Sequence, residues 1–197
     1  MTLYSYVVRW DFGFAPNPFH GFCTLATCKP DIRRRAQVDD WIAGTGSRQS
    51  DLAGRLVYAM RVTETLSFDQ YWRDRRFRDK RPNLHGSRMQ AYGDSIYHRG
   101  RDGEWRQENS HHSLADGNAN TLNLEYDTKT DRILVYNFTY WGAEGPEIPS
   151  QFRDWDGVDV CAGRGLKCRF PEALVSAFVT WFREVWGPGY RGRPASW

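Results

Sequence analysis

No apolar run in this chain approaches the ~20 residues that a membrane-spanning helix requires. The N-terminus has neither the basic start nor the small-residue cleavage site of a secretory signal. Both absences point to a cytoplasmic protein with no membrane partner. Cysteine is scarce, with Cys23, Cys28, Cys161 and Cys168 as its four residues. In a reducing compartment these are not expected to form disulfides. Nor are they spaced as the close pairs that usually hold zinc. Cys23 and Cys28 fall within one strand-like run, where a regular strand points them to opposite faces. They read as buried or idle thiols, and no metal or cofactor is expected. Several catalytic signatures are also missing. The glycine-rich segment Gly44–Ser47 is not followed by Gly-Lys-Ser/Thr, which excludes a P-loop. There is no Gly-x-Ser-x-Gly elbow and no Rossmann fingerprint. Without His-x-Glu and paired Cys, zinc deaminase chemistry has no support.

What is present is a globular composition. Of 197 residues, 40% are apolar and 15% aromatic, including nine Trp. A chain of this length buries roughly 70% of its unfolded surface. It is read as one domain over residues 1–190 with a flexible tail at 191–197. Net charge is only +3 but is unevenly placed: residues 1–100 hold 16 Lys and Arg against 10 Asp and Glu, and residues 101–197 hold 11 against 14. The densest basic cluster is Arg73, Arg75, Arg76, Arg78, Lys80 and Arg81, and Arg33-Arg34-Arg35 is a second. Such patches either neutralise phosphates or form a solvated face.

Strands are expected over residues 3–10, 22–28, 40–45 and 56–63, from β-branched and aromatic content bounded by Gly and Pro. A short helix is expected over residues 30–36, after the Lys-Pro turn. Ser67 with Gln70 forms a capping-box pattern opening a helix that frays near Pro82. Residues 80–120 read as a long polar loop, a length usually functional or mobile. Residues 122–126 and 132–140 read as a hairpin. Leu174, Val175, Phe178, Trp181, Phe182 and Val185 recur at helical spacing, predicting a long helix over 171–186. The fold class is α+β: a small curved, mostly antiparallel sheet or a partly closed barrel, with short helices and one long C-terminal helix.

The N-terminal third is the most distinctive stretch. Its words are YSYVVRWDFGFAPNPF, GFCTLATCKPDIRR, DWIAGTGS and LVYAMRVTETLSFDQYW, followed by GDSIYH and NSHHS. Over roughly residues 3–113 the chain resembles the nucleotide modification associated domain 2 family of phages and bacteria. The resemblance implies a link to nucleic-acid base modification and hands over no catalytic residues. The order of basic turn, short helix, Trp41 strand, glycine loop and following strand is also similar to PUA-like modules such as ASCH, EVE and YTH.

The residues themselves supply the candidates. Arg9, Trp10 and Asp11 in a row, beside a loop carrying four Phe, are not what a core strand needs. Loops rich in rings and charges are where binding sites are built. Trp10, Phe14, Trp41 and Trp141 are candidate stacking partners for a base, with Asp11, Asn17, Thr45 and Ser47 as donors and acceptors. The alternative for each ring is core packing. Gly44–Ser47 with Arg48 can present N–H groups and a guanidinium to an anion, or be a turn that needs glycine. Lys29, Arg33, Arg34, Arg75 and Arg76 are candidate phosphate contacts. His98, His111 and His112 can move protons near neutral pH, or lie on the surface.

The reading that follows is recognition of a modified base, nucleotide or nucleic acid in an aromatic pocket. DNA, RNA or a modified nucleotide would be the ligand, with a modification enzyme as possible partner. The alternatives are an enzyme that installs or alters a base modification with His111 or His112 as acid/base, and a scaffold subunit of a modification complex.

Overall fold

The computed structural model describes residues 1–163, 165–185 and 187–197. In chain order its elements are β1 (Leu3–Val8), β2 (Cys23–Leu25), α1 (Pro30–Arg35), β3 (Trp41–Gly46), β4 (Leu56–Leu66), α2 (Phe68–Arg73), α3 (Arg88–Ala91), β5 (Tyr97–Arg99), β6 (Trp105–Gln107), α4 (Thr121–Asp127), β7 (Ile133–Tyr140), α5 (Ser150–Arg153), β8 (Leu166–Lys167), α6 (Glu172–Glu184) and β9 (Gly189–Tyr190). The fold is mixed α+β, with short helices. The chain divides into two compact units. The first comprises Met1–Phe12, Ala36–Thr63 and Tyr136–Trp197, and the second Gly13–Arg35 and Glu64–Val135.

The first unit is built on the sheet path β7-β4-β3-β1-β8, with β9 beside β7. β1 and β3 run parallel, Leu3 opposite Trp41 through Val8 opposite Gly46, while β3–β4 and β1–β8 are antiparallel. The sheet is mostly antiparallel and its path does not return on itself, so no barrel closes. β3 is buried at all six positions. Gly44 and Gly46 are required there by close approach: a Cβ on Gly44 would sit 2.2 Å from the Tyr58 ring, and one on Gly46 2.2 Å from the Leu52 carbonyl oxygen. The freed space lets the Tyr58 hydroxyl donate to the Tyr6 hydroxyl.

α6 opens after Pro171, whose ring suits a helix start. Its Leu174, Val175, Phe178, Val179 and Phe182 are buried against Trp41, Ala43, Leu56 and Ala59 of the sheet. It covers 13 residues, and the expected terminus at Trp186 lies outside the described residues. Trp141 joins the same core, its ring 5.9 Å from that of Phe182.

The second unit holds the segment expected to be a loop. Over 80–120 the chain forms α3 and the two-stranded sheet β5–β6, with Tyr97 opposite Gln107. The hydrogen bonds of this sheet are local, and its burial is too uneven to show as a period. Ser67 caps α2 with the expected box. The helix then stops at Arg73, where Asp74 opens a 3₁₀ segment, Arg75–Lys80. The expected hairpin strand at 122–126 is instead α4. Asn120 caps it by accepting from the Asn123 N–H, and the helix delivers Asp127 to a buried position. Leu122, at the start of the expected strand, is 77% exposed.

Lys80 is wholly buried in this unit. Its ammonium donates to the Asn17 carbonyl (2.8 Å), Asn17 Oδ1 (2.6 Å) and the Phe22 carbonyl (2.7 Å). Burial lowers its pKa to about 8, opposed by nearby Asp94. Asp94, also buried, accepts from Tyr71 and Thr24 hydroxyls at 2.7 Å.

Candidate functional sites

In the first unit the ends of β1 and β3 open onto a cleft of about 690 Å³. Arg9, Arg48, Arg153 and Lys167 bring four cations to its wall, and Asp159 one carboxylate. Asp159 pairs with the Arg153 guanidinium at 2.9 and 3.1 Å. The Lys167 ammonium donates to the Asp159 carbonyl at 2.9 Å, and Arg9 Nε to Gln49 Oε1 at 3.2 Å. Among the described residues, Arg9, Arg48 and Lys167 form no ion pair with a carboxylate. Ser47 accepts from the Ser50 N–H and so fixes the 3₁₀ turn Arg48–Ser50 at the rim. Thr45 lines the same cleft and donates to the Tyr6 carbonyl at 3.3 Å. Thr45, Ser47 and Arg48 are thus brought together as the sequence suggested. Arg153, Asp159 and Lys167 were not legible beside them, because they arrive from a segment more than a hundred residues away.

Trp10 is 55% exposed, with the Arg9 guanidinium 5.9 Å from its ring centroid. Its neighbour Asp11 is buried, accepting from the Tyr140 hydroxyl (2.5 Å) and the Ala195 N–H (3.0 Å). Trp41 is 5% exposed and packs edge-on against Phe182 at 5.1 Å. Its remaining edge lines a smaller depression of about 240 Å³ with Arg61, Asn137 and Arg183.

In the second unit a different constellation forms. His112 Nδ1 lies 3.1 Å from Asp127 Oδ2, and its Nε2 lies 3.7 Å from Cys28 Sγ. Tyr97 donates to the same Asp127 oxygen at 3.0 Å. The other oxygen accepts from the Cys28 N–H at 2.6 Å, with Arg33 3.8 Å away. Nδ1–H donates to the buried carboxylate, and Nε2 faces the sulfur. Burial opposes protonation of His112, but its hydrogen bonds to Asp127 and Cys28 outweigh that and push its pKa up to about 9. His111 points elsewhere, its ring between those of Phe14 and Tyr92. Burial and the charge of His112 lower its pKa. Phe14, buried, lies edge-on to His112 at 4.7 Å.

The remaining candidates scatter. Arg33 is wholly buried and donates to the carbonyls of Cys28 (2.9 Å), Arg132 (2.8 Å) and Asp127 (2.5 Å). Arg34 is exposed and paired with Asp31 at 2.6 Å. Lys29 is half-buried, and burial lowers its pKa against the pull of Cys28. Asn17 holds Lys80. His98 stacks on Trp72 at 4.1 Å and meets Glu108 at 2.8 Å. Arg76 is neutralised by Glu64 and Asp74, whereas Arg75 is exposed and without an ion pair among the described residues.

Across its whole length, residues 1–197, the chain matches the family model described as nucleotide modification associated domain 2. The chain belongs to the nucleotide modification associated domain 2 family. No curated protein and no solved structure matches it. Membership associates this nucleotide modification associated domain with the modification of nucleotides. Among its described residues no helix is long and apolar enough to cross a membrane, and no three His, Cys, Asp or Glu residues converge as metal ligands would.

Proposed function

We propose that this nucleotide modification associated domain binds an anionic nucleotide, free or within a DNA or RNA strand, through the cationic cleft of its first unit. The observation that carries the reading is the set of Arg9, Arg48 and Lys167 around about 690 Å³ with one carboxylate among them, already paired to Arg153. A cleft of that size suits a small-molecule ligand. Guanidinium groups are the side chains best matched to phosphate oxygens. Trp10 follows Arg9 directly and offers an exposed ring on which a base stacks. It takes the role of aromatic partner, because Trp41 and Trp141 are core residues. A modified base would be read by its stacking and its edge, as the family association suggests.

The test is equilibrium binding of a fluorescein-labelled mixed-sequence deoxyoligonucleotide, its RNA counterpart and free deoxynucleoside monophosphates, across a salt series. Each phosphate contact removed by Arg48→Ala or Lys167→Ala should weaken binding and reduce the salt slope by about 1. Trp10→Ala should cost about 1–3 kcal/mol of affinity while leaving that slope intact. Salt-independent binding, or a double variant with unchanged affinity, would count against the cleft.

A further inference from the structure

We propose that Cys28, His112 and Asp127 form a nucleophilic triad that takes an acyl group from an ester or thioester donor onto the Cys28 sulfur. The triad belongs to the second unit and does not depend on what the cleft of the first unit binds.

Three observations converge on it. The first is proximity: nucleophile, base and orienting carboxylate stand in line in space, sulfur to Nε2 at 3.7 Å and Nδ1 to Asp127 at 3.1 Å. This is the geometry by which a histidine activates a thiol and is itself held in one tautomer. The second is the backbone. Cys28 and Lys29 have φ of 56° and 44°, in the left-handed region that non-glycine residues seldom occupy. They form the turn between β2 and α1. Strain of this kind is retained where surrounding contacts enforce it, and it gathers at functional positions. Here the enforcing contacts are Asp127 on the Cys28 N–H and Arg33 on the Cys28 carbonyl. The third is contrast with two other thiols. Cys23 is fully buried and burial raises its pKa far above the ordinary range. Burial pushes Cys161 up to about 11. Cys28 is partly exposed and faces a histidine that carries positive charge readily, the surroundings in which thiols are reactive.

The chemistry balances without an oxidant or a metal. In the fraction of chains whose His112 Nε2 carries no proton, a fraction that grows as pH rises towards 9, Nε2 takes the Cys28 proton, leaving a thiolate beside an imidazolium. The thiolate attacks the donor carbonyl carbon; a C–S bond forms and the carbonyl electron pair moves to oxygen. On collapse, the bond from that carbon to the leaving oxygen or sulfur breaks. The leaving group keeps the electron pair and takes the Nε2 proton. Water then gives a proton to Nε2 while its oxygen bonds to the thioester carbon. The C–S bond breaks, and the proton returns to Cys28. The products are a carboxylic acid and an alcohol or thiol; an amine in place of water gives an amide. Asp127 acts by holding His112 in place.

The experiment mixes the full chain with p-nitrophenyl acetate, follows p-nitrophenol release, and maps acetyl groups on the acid-quenched protein by peptide mass analysis. A burst approaching one equivalent per chain is expected, with the acetyl group on Cys28. Cys28→Ala should abolish the burst, and His112→Gln should slow acetylation by about 10²-fold or more. Circular dichroism of Cys28→Ala, where only a sulfur is lost, confirms that the fold is retained. Absence of a Cys28 acetyl adduct in the wild-type chain, or a burst that survives Cys28→Ala, overturns the proposal.

Discussion

Asp127 meets Cys28 by two routes: one carboxylate oxygen accepts the Cys28 backbone N–H at 2.6 Å, and the other orients the His112 ring whose Nε2 faces the Cys28 sulfur. One buried residue on α4 therefore sets both the strained turn that carries the thiol and the base beside it. Arg33 completes the frame from α1, reaching the carbonyls of both Cys28 and Asp127.

Arg33→Met should consequently be a structural lesion. It leaves four carbonyls and a buried carboxylate short of donors, and breaking a buried pair in this way costs about 3–5 kcal/mol. Urea unfolding measures it. A loss below about 1 kcal/mol would mean that water replaces the guanidinium.

Stability should fall with rising pH because of His112. Its folded pKa, about 9, lies above the ~6.5 of an unfolded histidine. The folded state therefore holds the proton more tightly, and the stabilisation is complete below about pH 6.5 and lost as pH rises through 9. The facing groups are Cys28 and Lys29 from the turn, Asp127 from α4, Tyr97 from β5, neighbouring His111 and, through Asp127, Arg33. Lys80 acts oppositely, its depressed pKa of about 8 adding stability only as pH climbs from there towards ~10.5. The clean window is thus pH 6.5 to 8. Thermal melts of wild type and His112→Gln should converge across it, along a linkage worth roughly 3 kcal/mol when complete at pH 9.

Two tryptophans should separate binding from folding. Trp41→Ala empties a packed site against Phe182 and should cost about 3–5 kcal/mol of stability. Trp10→Ala removes a mostly exposed ring and should leave the melting temperature nearly unchanged. Paired melts and binding isotherms distinguish them; a destabilised Trp10→Ala would show that its ring belongs to the fold.

The basic cluster should divide in the same manner. Arg76 is bound to Glu64 and Asp74, so Arg76→Ala should change the salt slope of oligonucleotide binding little. Arg75, without an ion pair among the described residues, should lower the slope by about 1 when replaced.

The glycines of β3 offer a packing test. Gly46→Ala forces a methyl group onto the Leu52 carbonyl, and overpacking of this kind costs about 1–3 kcal/mol. Because Gly46 also borders the cleft, the loss should appear in denaturation before it appears in affinity measured well below the melting temperature.

Local signals carried far in this chain. The Ser67–Gln70 capping box, the start of α1 at Pro30, the antiparallel succession of β3 and β4 and the apolar stripe of α6 each rest on residues close in sequence, where spacing alone sets which groups meet. Residues 122–126 are expected as one strand of a hairpin, yet they lie in α4. The Asn120 cap and the burial of Asp127 decided for a helix.

Composition and short words alone determined the membership in a nucleotide-modification family, the mixed α+β class and the gathering of Thr45, Ser47 and Arg48 at one strand end. Tertiary structure alone decided which charges are available. Arg33 and Lys80 looked like surface cations yet are buried among carbonyls, while Arg153, Asp159 and Lys167 reached the cleft from the distant end of the chain. It also decided that an apparently idle thiol faces a histidine held by an aspartate. The cause is the same throughout: a hydrogen bond between residues 84 or 99 positions apart leaves no periodicity in the chain, and only packing brings such partners to within a few ångströms.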